Sequence, residues 1–159
     1  MIEDWSATDV ERDISPTTAP RRDWTNAMLN TDDRVQITEI LSLHGHIFDG
    51  AHLDRLDEIF TPDVVYDLTD AGLGRFEGIE VVQGAFLRLG AAAPLAHHVT
   101  NIVISAVDAD EATARSKGLM IMADGTLNSV DHVDTVRRHS GRWRIGHRVV
   151  TAPNSASVS

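Results

Sequence analysis

The chain of 159 residues contains no cysteine, one lysine (Lys117) and one tyrosine (Tyr66), and aromatic residues make up only 5% of it. Without cysteine there is no disulfide, no thiolate metal site and no cysteine nucleophile. Positive charge is scarce, 14 Lys and Arg against 24 Asp and Glu, for a formal net charge of -10. No basic stripe is available to track a phosphate backbone, so neither nucleic acid nor an anionic membrane is an expected partner. No apolar run approaches the ~20 residues of a membrane helix, and the start MIEDWSATDVERD lacks the basic and apolar parts of a secretion signal. A cytoplasmic location is therefore expected. The glycine-rich stretch "AGLGRFEG" does not open a helix with dinucleotide spacing, and no cofactor is expected. Eight histidines remain, together with carboxylates and arginines. His44 and His46 lie two apart on a helix, and adjacent His97 and His98 diverge on a strand, so no metal site is expected.

What is present suits one domain with a single core; 42% of the residues are apolar. Residues 1–30, with Pro16, Pro20, Trp5 and Trp24 but no sustained period, read as an arm, and 153–159 read as a tail. Between them, residues 31–152 read as the domain. Thr31 or Asp32 can cap a helix that runs to about Phe48, with Val35, Ile37, Ile40, Leu41, His44, Ile47 and Phe48 on one face. "HLDRLDEIF" makes a second short helix that breaks at Thr61-Pro62. "VVYDL" is a strand with a short return strand after it, and "GIEVVQGAFLRLGAA" is again helical. Four long strand candidates follow, separated by turn signals at 108–110, 124–125 and 140–141. Helices first and a meander afterwards predict an α+β fold.

These residues carry a family resemblance. "RVQITEILSLHGHIFDGAHLDRLDEIFTPDVVYDL", "HHVTNIVI" and "RRHSGRWRIGHRVV", in this order, resemble the SnoaL-like group of the nuclear-transport-factor-2-like superfamily, over roughly residues 32–152. The resemblance implies a cone-shaped barrel, in which a strongly curved, mixed but mostly antiparallel sheet and three helices enclose one pocket. Relatives include polyketide cyclases, scytalone and bile-acid dehydratases and a dehydrochlorinase. It also implies a homodimer, paired through the outer face of the sheet.

Several enzymes of that group pair an aspartate at the end of the first helix with a histidine at the start of the long strand, positions held here by Asp49 and His97. The resemblance likewise points to His44, where relatives have Tyr or Lys, and to Arg148 as a holder of a substrate carbonyl or enolate oxygen. A carboxylate on one imidazole nitrogen fixes the tautomer and leaves the other free to accept a proton. The plainer readings are a helix-end carboxylate, a rim histidine, a core histidine bonded to a carbonyl, and an arginine paired with a surface acid. Strand alternation puts His97 with Val99, Asn101 and Val103, and His98 with Thr100, Ile102 and Ile104, so one histidine faces the pocket. The resemblance prefers His97, four residues before the Asn of "HHVTN"; a bulge at the strand start would reverse the choice. Tyr66, His132 and Phe48 are candidate pocket-lining residues, and Asp134 a second acid or base. Trp143 and Ile145 are expected to pack, with His147 on their face and Arg148 opposite. The implied activity is that of a cofactor-independent lyase or isomerase, or a cyclase, acting on a polyketide, terpenoid or steroid-like substrate. A non-catalytic binding module is the alternative, favoured if Met120, Met122, Phe86 and Trp143 plug the cone.

Overall fold

A computed structural model describes residues 29–152 of the chain. The expected arm and its two tryptophans, and the tail, lie outside the described residues, except that Leu29 and Asn30 belong to the domain. Leu29 is buried in the core. Asn30, rather than Thr31 or Asp32, caps helix α1 (Thr31–Asp49): its side chain accepts from the Asp33 amide, and the Asp33 carboxylate accepts from the Asn30 amide. This reciprocal box satisfies two otherwise unpaired donors at the helix start.

Asp33 also anchors the helix to the sheet. Buried, it accepts a hydrogen bond from Trp143 Nε1 at 3.1 Å and pairs with Arg138, whose guanidinium lies over the Trp143 ring. The Trp143 bond foremost, and then Asn30 and Arg138, hold the Asp33 carboxyl below the usual carboxylate range against the cost of burial. Ile37, Leu41 and Ile47 are fully buried on the sheet side of α1. Each contributes roughly 1.5–3 kcal/mol by leaving water.

A 3₁₀ helix (Leu53–Glu58) leads into β1 (Phe60–Leu68) and β2 (Gly74–Glu77); α2 (Ile79–Leu89) and one 3₁₀ turn (Gly90–Ala92) follow. The meander is β3 (Ala96–Ala106), β4 (Glu111–Ile121), β5 (Leu127–His139) and β6 (Arg142–Thr151). Sheet order is β2-β1-β6-β5-β4-β3, with only the β1·β6 pair parallel. The fold is α+β with a mixed, mostly antiparallel sheet, as expected, but among the described residues β2 and β3 are edge strands and the sheet does not close into a barrel. The break expected at Thr61-Pro62 is instead inside β1. Pro62 is tolerated because β2 pairs only with Val65–Leu68 and the ladder to β6 is irregular from Phe60 to Val65.

Two bulges invert the facing expected from simple alternation. In β3, Asn101 and Ile102 stand opposite the single Ser116, and Asn101 takes a positive φ of 54°. His97 and Val99 therefore share the inner side with Ile102 and Ile104, while Asn101 and Val103 are exposed. In β6, Gly146 is skipped between the pairs Ile145↔Val136 and His147↔Thr135. Trp143, Ile145, Arg148 and Val150 are consequently all buried, and His147 does not join them. The extra residue turns Arg148 inward.

Candidate active site

The dyad positions meet where α1 runs along the free edge of β3. Gly45 permits the approach: a Cβ there would lie 2.6 Å from the His97 carbonyl oxygen. Farther back, Arg34 Nη1 donates to the Ile104 carbonyl. Asp49, the last residue of α1, then reaches His97 with both oxygens. His97 Nδ1 lies 2.5 Å from Oδ1, and the His97 amide donates to Oδ2 at 2.9 Å. A carboxylate at a helix C-terminus opposes the macrodipole by about 0.3–1 kcal/mol. Its two bonds to His97 explain why it sits there. With the proton on Nδ1 held by Asp49, Nε2 is the nitrogen left to accept a proton.

His97 lines a cavity of about 480 Å³ between the inner face of the sheet and the helices. The volume lies in the range of small-molecule sites, roughly 300–1,000 Å³. The wall is mainly apolar, including Phe48, Phe86, Val150, Met120 and Met122; Arg88, from the last turn of α2, is exposed at its border. Met120, Met122 and Phe86 thus line the space instead of plugging it, and Trp143 is packed elsewhere against Asp33.

The polar groups besides His97 and the bordering Arg88 are His44, Tyr66, Asn128 and His132. His44 is 2% exposed, its ring tilts against Phe48 at 4.4 Å between ring centroids, and it lies 5.7 Å from the ring of His97. Its Nε2 is 3.1 Å from the Tyr66 hydroxyl, while Nδ1 has no hydrogen-bond partner among the described residues. Burial first, then the positive charge of Arg148 and the neighbouring His97 and His132, hold His44 well below the ordinary imidazole range. Across the cavity, His132 Nδ1 lies 3.3 Å from Ser116 Oγ, and burial pushes its pKa down to about 2. Gly118 makes room for that ring: a Cβ at 118 would lie 2.6 Å from His132 Cε1.

Arg148 and Asp134 do not reach the cavity. Both are 0% exposed and form a bidentate pair, Nε to Oδ1 at 2.7 Å and Nη2 to Oδ2 at 2.9 Å. The expected substrate-facing arginine and second acid or base are corrected accordingly, because neighbouring strands place the two opposite charges side by side with no solvent between. Burial alone would weaken the guanidinium's hold on its proton, yet Asp134 raises it above the ordinary value. Gly45, Gly118 and Ser116 are residues that sequence reasoning missed. A glycine inside a helix and small residues alternating along β4 were the available signals. Among the described residues, no group of three or more His, Asp or Glu is placed to hold a metal ion, and no helix is long and apolar enough to cross a membrane.

The model of the SnoaL-like domain matches residues 30–149. A search of curated proteins returned no match. Among solved structures, a cystatin-like-fold protein of unknown function from Nostoc punctiforme PCC 73102 superposes with a TM-score of 0.69 at 20% identity, covering 82% of this chain and 98% of its own. A protein named as a candidate scytalone dehydratase from Novosphingobium aromaticivorans DSM 12444 gives 0.64 at 21% identity, with 78% and 89% covered. A protein from the same genus and species named as a candidate aromatic ring hydroxylase gives 0.63 at 23%, with 78% and 91% covered. At these identities the likeness shows a shared fold.

Proposed function

The chain belongs to the SnoaL-like domain family, and from that footing we propose that it is a cofactor-independent lyase or isomerase acting on a small, mostly apolar substrate. The observation that carries the reading is the double hold of Asp49 on His97, which leaves His97 Nε2 as the free base of a residue lining an apolar cavity. In the elimination, Nε2 takes a proton from the carbon next to a carbonyl, and the C–H electron pair becomes the new carbon–carbon double bond. The bond to a β-hydroxyl breaks, and the departing oxygen takes the proton back from the imidazolium to leave as water. In the isomerisation the same proton returns to a different carbon. Asp49 stabilises the imidazolium in between. Tyr66 and His132 supply neutral hydrogen-bonding groups for substrate oxygens, and the water-poor wall strengthens every such contact. Ring closure by the same carbanion uses the same base, which keeps a cyclase within this reading.

The test needs no knowledge of the natural substrate. 2-Tetralone is an apolar bicyclic ketone with acidic C–H groups, and its deuterium uptake in heavy water is followed by NMR. The protein is expected to accelerate exchange, and His97→Ala to abolish the acceleration. Equal rates for the wild type and His97→Ala would sink the base assignment and favour a binding module.

A further inference from the structure

On the inner face of the sheet three polar residues stand in one row across neighbouring strands. Tyr66 of β1 is the register partner of Arg148 of β6, and Arg148 is the partner of Asp134 of β5. Arg148 therefore lies between the other two. Asp134 occupies its Nε and Nη2, leaving the buried Nη1 on a guanidinium whose carbon is 5.9 Å from the centroid of the Tyr66 ring. Resting on the reading of the cavity given above, we propose that the buried Arg148–Asp134 pair is a positioning device for Tyr66: its positive end, turned to the phenol, sets the Tyr66 hydroxyl as a hydrogen-bond donor to a substrate oxygen, and the pair itself never touches substrate.

Two further observations fix the direction of the donor. His44 Nε2 meets the Tyr66 hydroxyl at 3.1 Å, and its buried Nδ1 is unpartnered among the described residues. A proton on Nδ1 would be a buried donor with nothing to bind, which proteins avoid more strictly than a bare acceptor. The proton thus sits on Nε2 and is donated to the Tyr66 oxygen. The phenolic hydrogen is then free to point into the cavity, away from His44. Charge on that oxygen is opposed by burial, and Asp134 adds to the opposition; Arg148 acts the other way. The remaining ionisable neighbours, His97 of β3 and His132 of β5, act on His44.

A buried ion pair replaced by apolar side chains of similar size is often neutral for stability. Arg148→Met combined with Asp134→Leu therefore separates folding from positioning. Tyr66 is the only tyrosine of the chain, so full-length protein carrying tyrosine labelled with ¹³C at Cζ gives one resonance that reports this phenol alone. In the double variant the ionisation midpoint of Tyr66 is expected to rise, because the guanidinium beside the phenol is the stronger influence and the simultaneous loss of Asp134 offsets only part of its removal. Arg148→Lys, which keeps the charge but loses the fork, is expected to fall between. 2-Naphthol, measured by calorimetry, reads the ligand side: Tyr66→Phe and the double variant are each expected to bind roughly tenfold more weakly, and the triple variant no worse than Tyr66→Phe. A folded double variant with the wild-type midpoint and wild-type 2-naphthol affinity overturns the proposal and leaves the pair a purely structural element. If Tyr66→Phe binds 2-naphthol as tightly as the wild type, the ligand contact assumed for Tyr66 in the functional reading fails instead.

Discussion

Asp49 holds His97 by ring and by backbone at once, with Nδ1 on one carboxylate oxygen and the main-chain amide on the other. Orientation and tautomer of the imidazole are thereby set by a single side chain.

The first prediction follows from that double hold. In ¹⁵N NMR spectra the neutral His97 ring should show its proton on Nδ1. Asp49→Asn loses the charge, and an amide correctly turned for the backbone N–H presents its own NH₂ to the ring, so the tautomer should reverse. 2-Tetralone exchange is expected to fall on the order of a hundredfold in Asp49→Asn and in His97→Ala, within the span typical of general-base catalysis. The double variant should be little worse than either, because the two residues act as a unit. His98→Ala, exposed on the other side of the strand, should retain activity; a dead His98→Ala beside an active His97→Ala would reverse the assignment.

Stability should depend on pH through the two buried neutral histidines. His44 and His132 bind protons less readily folded than at their ordinary value of 6.5. The unfolded chain therefore holds more protons below that pH, and stability is complete above about 6.5 and declines as the pH drops. Each group contributes a slope that grows below 6.5 towards a limit of about 1.4 kcal/mol per pH unit. Urea unfolding between neutral pH and pH 5 should show the decline, and His132→Asn should make it distinctly shallower. An unchanged slope in that variant would remove His132 from the account.

Gly45→Ala pits two effects against each other. Alanine favours a helix over glycine by about 1 kcal/mol. The new Cβ, however, would stand 2.6 Å from a backbone carbonyl that cannot swing aside. Overpacking of this kind costs typically 1–3 kcal/mol, so the melting temperature should fall, and activity with it, as α1 is pushed off the dyad. A higher melting temperature with full activity would contradict the close approach.

Gly118→Ala meets side chains instead, His132 Cε1 at 2.6 Å and Val130 Cγ2 at 2.7 Å. These can rotate, so the expected result is a smaller loss of stability and a clear loss of 2-naphthol affinity as the imidazole is driven into the cavity. Unaltered affinity would show that His132 yields in another direction.

The elements were legible because their signals are local. Turn residues at 108–110, 124–125 and 140–141 separate the four long strands, and helical periodicity up to Phe48 marks α1. The meeting of Asp49 with His97 was legible only through the resemblance, since no local rule joins residues 48 positions apart. Facing was lost where the period of two is broken. Gly146 inside a strand and Asn101, a residue type that tolerates positive φ, were the visible hints of bulges. The position of Arg148 depends on the bulge at Gly146 and on register with Asp134, neither of which its own neighbourhood encodes. Gly45 is the opposite case, conspicuous in sequence but meaningful only once β3 is known to lie against it.

A strand edge with unpaired amides is a template on which other chains can assemble. Here the uncovered side of β3 is masked at His97 by the carboxylate of Asp49 and by the close passage of α1 at Gly45. The contacts that arrange the proposed base are thus the same ones that cover the edge of β3 at His97. Loss of the Asp49 carboxylate would therefore bare an edge amide of β3 at the same time as it frees the imidazole.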